Sequence, residues 1–327
     1  MRISIALATF NGEKYIEEQL KSFIAQTRQP DELIICDDAS SDNTVAIAKL
    51  FADSAPFTVK VFINKNNIGY AQNFSQALTY CDGDIVFMSD QDDVWHTTKI
   101  ERMLTQFSGD PKLQLLIHDL EYCKENLTPI GQTKIDRMES AFNVERDYVV
   151  GMASAIRGPF LKLCLPIPNE LDVAHDNWLH ECAWAVRRKS VMREVLALYR
   201  RHPSNATGLQ NLNVDFVTTS SHFKAGGKSE LRLLRTKTTL SLSSHPALTQ
   251  WLQSNKWTLV DRKYATAIRI DSAIDELLCT TEITNRRIKI LRLARWKRLL
   301  PVVHFYWKGG YHQFSGWKSA FKDLVLN

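Results

Sequence analysis

The sequence lacks several features that would assign it to a common class. It has no Cys-x-x-Cys pair, which argues against a zinc site and against a thioredoxin-like motif. Its six cysteines are scattered through largely apolar surroundings, a distribution typical of reduced, buried thiols in a cytosolic protein. No apolar run approaches the roughly 18 residues that a membrane span needs, so we expect no spanning helix.

Two N-terminal signatures are missing as well. The apolar stretch of MRISIALATFNG is too short for a secretory signal peptide and leads directly into a turn. The loop after this stretch lacks Gly-x-Gly-x-x-Gly, which excludes a dinucleotide-binding dehydrogenase. The charge excess is mild, because the net charge is +5 in a chain of 327 residues. A chain of this length suits one large α/β domain, or one domain with an appendage.

Residues 1–120 alternate between two apolar periodicities. Nearly continuous apolar runs predict strands that are buried on both faces of a parallel sheet. Apolar residues at helical spacing predict helices between these runs. The predicted strands are 3–9, 32–38, 58–64, 84–90 and 113–119, and the predicted helices are 16–24, 43–51, 70–78 and 100–107. Strands that alternate with helices predict a doubly wound α/β sheet, in which ligands bind beyond the carboxyl ends of the strands.

The pattern changes in the rest of the chain. Residues 121–215 predict the second half of the same domain, with long loops that shape a substrate pocket. Residues 216–250 are polar and basic and predict a mobile segment, and a helical pattern returns at 251–327.

An acidic cluster follows the fourth predicted strand, where FMSDQDDVW places Asp90, Asp92 and Asp93 within four positions. An EF-hand calcium loop is excluded, because Trp95 stands where that loop needs a glycine. An aspartyl-phosphate enzyme is excluded because no aspartate follows the first predicted strand. Mg²⁺ or Mn²⁺ bridging a nucleotide pyrophosphate fits, since these ions use one or two carboxylates with phosphate oxygens. A solvated acidic loop, or aspartate caps for a helix beginning near His96, fits the same residues.

Four segments of the first half share a further pattern: ALATFNGEKYIEEQLKSFIAQT, ELIICDDASSDNT, NNIGYAQNF and DIVFMSDQDDVW. In this order they resemble the nucleotide-sugar half of family 2 glycosyltransferases. The resemblance implies the GT-A fold, an α/β nucleotide-binding doubly wound mixed sheet, here with a helical C-terminal appendage. It makes residues 1–120 the nucleotide-sugar-binding half, residues 121–215 the acceptor-binding half, and residues 216–327 a mobile segment with a basic helical region.

The resemblance also implies roles around the nucleotide. Phe10 should stack near the base, and Asp38 should accept a hydrogen bond from the base N–H, which fits uracil or thymine. A helix cap remains open for Asp37, and a plain turn for the loop at Asn67. Ala39 stands where the family commonly has glycine, so we expect no strongly positive φ there. The implied nucleotide-binding residues are Thr9, Phe10, Asn11, Glu13, Asp37, Asp38, Asn67, Gly69, Asn73 and Asp90.

The resemblance further implies a divalent metal, Mg²⁺ or Mn²⁺. Asp92 is the expected ligand, Asp90 should face the ribose or the metal, and Asp93 should be a second ligand or an orienting group. His202 in ALYRRHPSNATG is a metal or phosphate ligand by the same resemblance, although a solvated basic strand end fits it equally well. The implied metal residues are therefore Asp90, Asp92, Asp93 and His202.

A catalytic base is expected in LDVAHDNWLHECAWA. This stretch resembles the motif of rhamnosyltransferase-like members, which places the base at Asp176, with His175 orienting it or touching the acceptor. A carboxylate within reach of the acceptor hydroxyl is the usual base. Asp176 as the cap of a helix that begins at Trp178 is the alternative. The segment GMASAIRG at 151–158 should form the floor of the sugar pocket.

Residues 285–300, NRRIKILRLARWKRLL, carry seven basic residues and no acidic one. They predict one basic amphipathic helix with an interfacial tryptophan, which suits an anionic membrane surface. A packed helix with a solvated basic face, or RNA binding, fits the same pattern. Arg295-Trp296 resembles part of a motif of processive synthases, but position 292 is arginine, so we expect a non-processive enzyme.

These features together predict an inverting, metal-dependent, non-processive glycosyltransferase. It would move one sugar, of the rhamnose type, from a dTDP- or UDP-sugar to a saccharide or polyprenyl-diphosphate-linked acceptor. The expected process is bacterial O-antigen, capsule or other surface polysaccharide synthesis, and nucleic acid is not an expected partner. The expected location is cytoplasmic, with peripheral contact at the inner face of the cytoplasmic membrane. The alternative is a non-catalytic nucleotide-sugar or polyanion-binding protein with the GT-A fold.

Overall fold

The structure is a computed structural model in which the chain forms two compact units. It describes residues 1–139, 142–168, 174–203, 205, 228–312, 314 and 316–325, with the backbone alone for 228–243. The described residues up to 205 form the first unit, and those from 228 onward belong to the second.

Nine strands of the first unit's described residues form one mixed sheet, in the order β3-β2-β1-β4-β8-β6-β9-β5 with β7 beside β6. β1, β2, β3 and β4 pair in parallel, whereas β8 runs antiparallel to both of its neighbours. The strands are β1 (Ile3–Thr9), β2 (Glu32–Asp37), β3 (Thr58–Ile63), β4 (Ile85–Ser89), β5 (Val94–Trp95), β6 (Leu115–Cys123), β7 (Pro129–Thr133), β8 (Ser154–Arg157) and β9 (Lys189–Arg200).

Helices connect these strands, and the α/β sheet expected from the sequence is confirmed. The four N-terminal helices lie where the apolar spacing predicted them. The helices of the first unit are α1 (Ile16–Ile24), α2 (Thr44–Ser54), α3 (Tyr70–Thr79), α4 (Lys99–Gly109), α5 (Lys134–Glu139), α6 (Val144–Asp147), α7 (Gly158–Cys164) and α8 (His175–Ala185), with a 3₁₀ turn at Gly151–Ala153.

Burial follows each strand's position in the sheet. Every residue of β1, β2 and β4 is buried, as their continuous apolar runs predicted. β3 differs, because it lies at the edge of the sheet and its residues alternate between exposed and partly buried. Burial on both faces was expected of most of the predicted strands, and β3 is an exception. Helix α1 adds Ile16, Leu20 and Phe23 to the same core, and each such side chain contributes about 1.5–3 kcal/mol when fully buried.

The second unit consists of helices in its described part. They are α9 (Lys228–Asp261), α10 (Ala267–Leu291), α11 (Leu299–Trp307) and α12 (Trp317–Val325), with a 3₁₀ turn at Arg295–Lys297. The helical C-terminal appendage is thus present. Of the segment expected to be mobile, residues 216–227 lie outside the described residues, and residues 228–250 belong to α9.

The expectation of one continuous basic helix at 285–300 is wrong. Helix α10 ends at Leu291 and α11 begins at Leu299. The reason is local, because the Arg298 guanidinium folds back and donates hydrogen bonds to the carbonyls of Leu291 and Leu293, each at 2.8 Å. Those carbonyls are left without helical donors at a helix end, and the arginine satisfies them. Pro301 then lies in the first turn of α11, where proline is tolerated.

A buried ion pair joins α10 to α12. Arg287 Nε and Nη2 donate to the two carboxylate oxygens of Asp323 at 2.8 and 2.7 Å, and Tyr311 Oη donates to the same carboxylate at 2.8 Å. Both charged side chains are buried, so removing one partner costs about 3–5 kcal/mol. Arg287 and Arg298, two of the seven basic residues expected to face an anionic membrane surface, are instead buried in the second unit.

The cysteines and the helix lengths agree with most of what the sequence indicated. All six cysteines are free thiols, and all are buried except the exposed Cys279. Burial raises the pKa of the Cys36 thiol to about 12. None of the helices that the structure describes combines the length and the apolar character that crossing a membrane requires.

Candidate active site at the strand ends

The carboxyl ends of β1, β2 and β4 meet at one edge of the sheet, because these strands are parallel neighbours. Thr9 lies opposite Asp37, and Leu7 lies opposite Ser89. The three loops that follow these strands therefore start side by side, at the edge where open α/β sheets bind ligands. Thr9 Oγ1 donates to Asp37 Oδ2 at 2.8 Å, which joins the first two loops directly.

The first two loops interlock through side-chain hydrogen bonds. The amide N–H of Ser41 donates to Asn11 Oδ1, and that of Asn43 donates to Glu13 Oε2, both at 2.9 Å. Asp37 is buried and also accepts from the Ser40 amide at 2.8 Å. Asn11, Glu13 and Asp37 thus hold the loop conformation.

Phe10 is the aromatic side chain that these loops leave exposed, with 45% of its surface accessible. Its backbone is fixed by the third loop, because Gln91 accepts from the Phe10 amide at 2.9 Å and donates to its carbonyl at 3.0 Å. Gln91 was not singled out from the sequence. Its position between Asp90 and Asp92 could have indicated a role, because a glutamine side chain there can reach the loop that follows the neighbouring strand.

Asp38 fixes the loop before α3. Its carboxylate accepts from the amide N–H groups of Ile68 at 2.8 Å and Gly69 at 2.9 Å, and Gly69 has a φ of +86°. Asn67 Oδ1 also accepts from Gly69 N–H, at 3.1 Å. Asn64 Nδ2 donates to the same carboxylate at 3.0 Å, so three of its roughly four lone-pair positions are in use and one remains for a ligand.

Asn73 lies behind this loop. Its side-chain amide donates to the Cys36 carbonyl at 2.8 Å and its oxygen accepts from Asn64 at 3.1 Å. Only 1% of Asn73 is exposed, so this residue braces the ends of β1 and β2 from inside.

The expectation about Ala39 is wrong, because its φ is +62°. The Ser40 amide and hydroxyl both turn back to Asp37, which folds the chain tightly at this residue. A left-handed conformation costs a residue with a Cβ roughly 1–2 kcal/mol relative to glycine. The turn therefore needs the left-handed conformation that a glycine adopts without this cost.

We expect the substitution Ala39→Gly to stabilise the protein. Relief of the left-handed strain exceeds the extra chain entropy of glycine, which is about 0.4–1 kcal/mol, so the unfolding free energy should rise by up to about 1 kcal/mol. Urea unfolding measures this change. The control is Ala48→Gly inside α2, where glycine should lower the unfolding free energy. Equal destabilisation by both substitutions would show that Ala39 is not strained.

Asp92 meets His202 across 110 residues of sequence. His202 Nε2 lies 2.8 Å from Asp92 Oδ2, and Asn205 Nδ2 donates to the same oxygen at 3.3 Å. The Tyr15 ring packs against the His202 ring with 4.3 Å between centroids. Two of the four residues expected to bind metal are thus brought into direct contact.

Asp93 points in a different direction from Asp92. It is buried, and its Oδ1 accepts from the Arg200 amide at 2.9 Å, while Arg200 Nε donates to the Asp92 carbonyl at 2.7 Å. Asp93 and Arg200 therefore tie the end of β9 to the acidic loop. Of the two roles expected for Asp93, this position suits the orienting one.

A buried lysine lies beneath the acidic cluster. Lys99 is fully buried, its Nζ donates to the Met152 carbonyl at 2.6 Å, and Nζ lies 3.6 Å from the centroid of the Trp95 ring. Its charge acts to lower the pKa values of Asp90 and Asp93 against the effect of their burial. Sequence reasoning missed Lys99, although it lies four residues before Met103 and so on the buried face of α4.

The charge of Asp176, at the start of α8, acts on Asp90, which follows β4. Burial, followed by the charges of Asp92 and Asp176, raises the pKa of Asp90 to about 8. A nearby cation would favour the ionised form of this carboxyl group, because it would offset the negative charge of the neighbouring aspartates.

The side chains at this edge provide two neighbouring candidate ligands for a divalent cation, Asp92 and His202. Among the described residues, no group of three or more His, Cys, Asp and Glu side chains is placed to hold a metal ion. Asp92 and His202 form a two-ligand set, and Mg²⁺ and similar ions complete such sets with substrate phosphates and water.

Asp176 lies in the first turn of α8. Its Oδ2 accepts from the Gly151 amide at 3.0 Å and its Oδ1 from the Asn177 amide at 2.8 Å. The helix begins at His175 rather than at Trp178, and its N-cap residue, Ala174, has no capping side chain. Asp176 is therefore not the cap of this helix. Asp172, a further carboxylate of this stretch, lies outside the described residues.

His175 packs against Phe74, with ring centroids 3.8 Å apart and planes at 15°. Neither ring nitrogen has a hydrogen-bond partner among the residues that the structure describes. Burial lowers the pKa of His175, so the ring is neutral at physiological pH. His175 thus lies beside Asp176 in sequence without a hydrogen bond to it in the structure.

Comparison with known proteins relates this arrangement to enzymes. The sequence model described as glycosyl transferase family 2 matches residues 4–156. The dTDP-rhamnosyl transferase RfbG of Shigella flexneri is 30% identical over 222 residues, which cover 62% of this chain and 73% of that protein. The UDP-Glc:alpha-D-GlcNAc-diphosphoundecaprenol beta-1,3-glucosyltransferase WfgD of Escherichia coli is 34% identical over 103 residues, which cover 32% of this chain and 40% of that protein.

Solved structures show the same fold. Residues 1–349 of TarS from S. aureus, in complex with UDP, align with a TM-score of 0.52 at 17% identity, covering 88% of this chain and 91% of that one. The complex of the same fragment with UDP-GlcNAc aligns equally well, covering 88% of this chain and 92% of that one. At this identity the likeness concerns the fold alone.

Proposed function

Since the chain belongs to glycosyl transferase family 2 and is a glycosyltransferase that acts on nucleotide sugars, we propose that it transfers one sugar from a dTDP- or UDP-sugar with inversion at the anomeric carbon. The observation that supports this most is that Asp176 and the buried Lys99 hold the same short 3₁₀ turn, because Asp176 Oδ2 accepts from the Gly151 amide and Lys99 Nζ donates to the Met152 carbonyl. Asp176 comes from the acceptor half of the first unit, and its charge raises the pKa of Asp90. A carboxylate beside the diphosphate site is where a base for the acceptor belongs.

Asp176 is the proposed general base. Two backbone N–H groups, from Gly151 and Asn177, donate to its carboxylate and fix its position. The acceptor hydroxyl loses its proton to Asp176 as its oxygen attacks the anomeric carbon. The bond from that carbon to the diphosphate oxygen breaks on the opposite face, and the nucleoside diphosphate leaves. His175, neutral and packed on Phe74, keeps the first turn of α8 in place.

Asp92 and His202 are the proposed metal ligands, and Asp90 faces the ribose or the metal. Mg²⁺ or Mn²⁺ bound there supplies positive charge to the departing diphosphate. Asn205 and Tyr15 keep the imidazole in place before the ion binds, through a 3.1 Å contact to His202 Nε2 and ring packing. Asp93 supports the site from behind by holding Arg200.

The nucleotide is proposed to lie across the first three loops. Phe10 supplies an exposed aromatic face, and Asp38 accepts from the imide N–H that uracil and thymine share. RfbG is named for a dTDP-sugar and WfgD for a UDP-sugar, which supports a pyrimidine of this kind. Asn11, Glu13, Asn67 and Gly69 shape the loops that surround the nucleoside. A donor of the rhamnose type follows the name of RfbG.

The acceptor is proposed to be a saccharide or a polyprenyl-diphosphate-linked sugar. WfgD is named for an acceptor on diphosphoundecaprenol, which supports surface polysaccharide synthesis at a membrane. We place the enzyme in the cytoplasm, in contact with the inner face of the cytoplasmic membrane. The experiment is a transfer assay with a panel of dTDP- and UDP-sugars and a short soluble acceptor, with and without Mn²⁺. Donor binding without turnover for every pair would favour the non-catalytic alternative.

Gly151→Ala tests the position of the base. A Cβ at Gly151 would lie 2.8 Å from His175 Nε2 and 3.5 Å from Asp176 Cβ, so the His175 ring or the turn at Gly151, which holds Asp176, must shift. A displaced base should lower kcat at least about tenfold while the affinity for the donor stays within twofold. The matched control is Gly109→Ala, where an added Cβ meets nothing within 4 Å. An unchanged kcat in the first variant would show that the contact with Gly151 does not position the base.

A further inference from the structure

A cavity of about 290 Å³ lies in the second unit between α10 and α11. Its apolar part is formed by side chains from both helices, with Phe305 buried at its base. Its polar part consists of cationic or titratable side chains alone. The lining residues are Ile283, Arg286, Lys289, Ile290, Pro301, His304, Phe305, Lys308 and Gly310.

The charge around this cavity is one-sided. From Arg286 to Val325 the sequence contains ten lysines and arginines, and its one acidic residue is Asp323. Asp323 is buried and bound to Arg287. Arg286 pairs with Glu282 on the surface of α10. Lys289 and Lys308 therefore face the cavity with no acidic residue of this segment left to neutralise them, so the cavity suits an anion.

An exposed apolar stripe borders the cavity along α11. Leu300, Val303 and Trp307 are 79%, 41% and 82% exposed. Their spacing of three and then four residues places them on one face of the helix, and His304 and Lys308 lie on the adjoining face. Trp296, 79% exposed, precedes the helix in the 3₁₀ turn. Large exposed apolar side chains beside an anion site indicate an amphiphilic ligand rather than a soluble one.

We propose that this cavity binds the phosphate headgroup of an anionic phospholipid while Leu300, Val303 and Trp307 enter the apolar layer of the membrane. This rests on the proposed function, since it gives the membrane partner proposed there a defined binding site. Tryptophan with leucine beside basic residues is the combination found where helices lie in a membrane interface. RNA would use the lysines and the tryptophan, but it offers nothing to Leu300 and Val303.

The test is co-sedimentation of the full-length protein with vesicles of phosphatidylcholine containing phosphatidylglycerol. The double variant Lys289→Gln, Lys308→Gln should bind about 20- to 30-fold more weakly, because each basic residue near an anionic surface contributes a factor of about five. The matched control is Lys112→Gln, Lys162→Gln, two exposed lysines of the first unit with the same change in net charge. An equal loss in the control would overturn the site in favour of overall charge.

Two further arms separate lipid from other anions. Leu300→Ala with Trp307→Ala removes exposed side chains, so it should weaken vesicle binding at least about tenfold without lowering the thermal unfolding midpoint. Inorganic pyrophosphate at physiological ionic strength should not displace the protein from vesicles. Displacement by pyrophosphate, or binding of a short RNA in place of vesicles with the same dependence on Lys289 and Lys308, would overturn the proposal.

A separate measurement keeps this proposal apart from the proposed function. Transfer to a short soluble acceptor should be unchanged in all of these variants. Vesicle binding should be unchanged in Asp176→Asn, since Asp176 belongs to the first unit. Transfer by a protein that does not bind vesicles would overturn the lipid site alone. Vesicle binding by a protein that does not transfer sugar would overturn the proposed function alone.

Discussion

Asp176→Asn should abolish sugar transfer and leave donor binding intact. An asparagine keeps the size and one acceptor oxygen of the side chain, but it cannot take the proton of the acceptor hydroxyl. A general base contributes about 10²–10⁴ to the rate, so kcat should fall by at least about 100-fold. Calorimetric titration with UDP or dTDP in the presence of Mn²⁺ should give an affinity within twofold of the wild type, because the base contacts the acceptor alone.

The control for this variant is Asp53→Asn, an exposed aspartate of α2 outside the site. Its kcat should equal that of the wild type. Loss of nucleotide affinity would place Asp176 in the donor site, and retention of more than about a tenth of the rate would assign the base to another residue.

The first half of the site could be anticipated because its residues follow strands that are visible in the sequence. Thr9, Asp37 and Asp90 each come directly after a nearly continuous apolar run, and parallel pairing brings such ends together. The rule acts locally, so one run of residues is enough to apply it. The edge position of β3 could not be predicted in this way, because a run of residues does not show whether its strand has one neighbour or two.

Contacts between distant segments could not be derived from spacing. Asp92 and His202 meet because β9 pairs in parallel with β6 and antiparallel with β5. No local pattern in the sequence encodes this pairing. Lys99 was not predicted as a site residue because a lysine at a helix start is normally solvated. Its burial depends on the Met152 carbonyl and the Trp95 ring, which other segments provide.

Backbone exceptions were missed for a different reason. Ala39 adopts a positive φ because Asp37 draws Ser40 back, and this hydrogen bonding outweighs the preference of alanine. The end of α10 at Leu291 depends on the guanidinium of Arg298, a residue that by periodicity alone continues the helix. In both cases side-chain hydrogen bonds override the propensity from which the expectation came.

Asp92→Asn should remove the response to Mn²⁺ without weakening the fold. The carboxylate of Asp92 adds negative charge beside Asp90 and Asp93, and its charge raises the pKa of both neighbours. Asparagine removes this charge and keeps an oxygen for the contacts with His202 and Asn205, so the thermal unfolding midpoint of the metal-free protein should change little. The stabilisation that Mn²⁺ and UDP together give the wild type should be lost, because ligand binding to the folded state is what produces it.

Transfer by Asp92→Asn should fall by at least about 100-fold, equivalent to about 2.7 kcal/mol in the barrier. His202→Gln should cause a similar loss, and the double variant should be little worse than either single one, since the two residues act on one ion as a unit. Asp93→Asn is the contrasting variant. It weakens the acceptor that holds the Arg200 amide, so it should lower the unfolding midpoint and keep the Mn²⁺ response. If Asp93→Asn lost that response while Asp92→Asn kept it, the ligand set would be Asp93 with His202, and the contact between Asp92 and His202 would be structural.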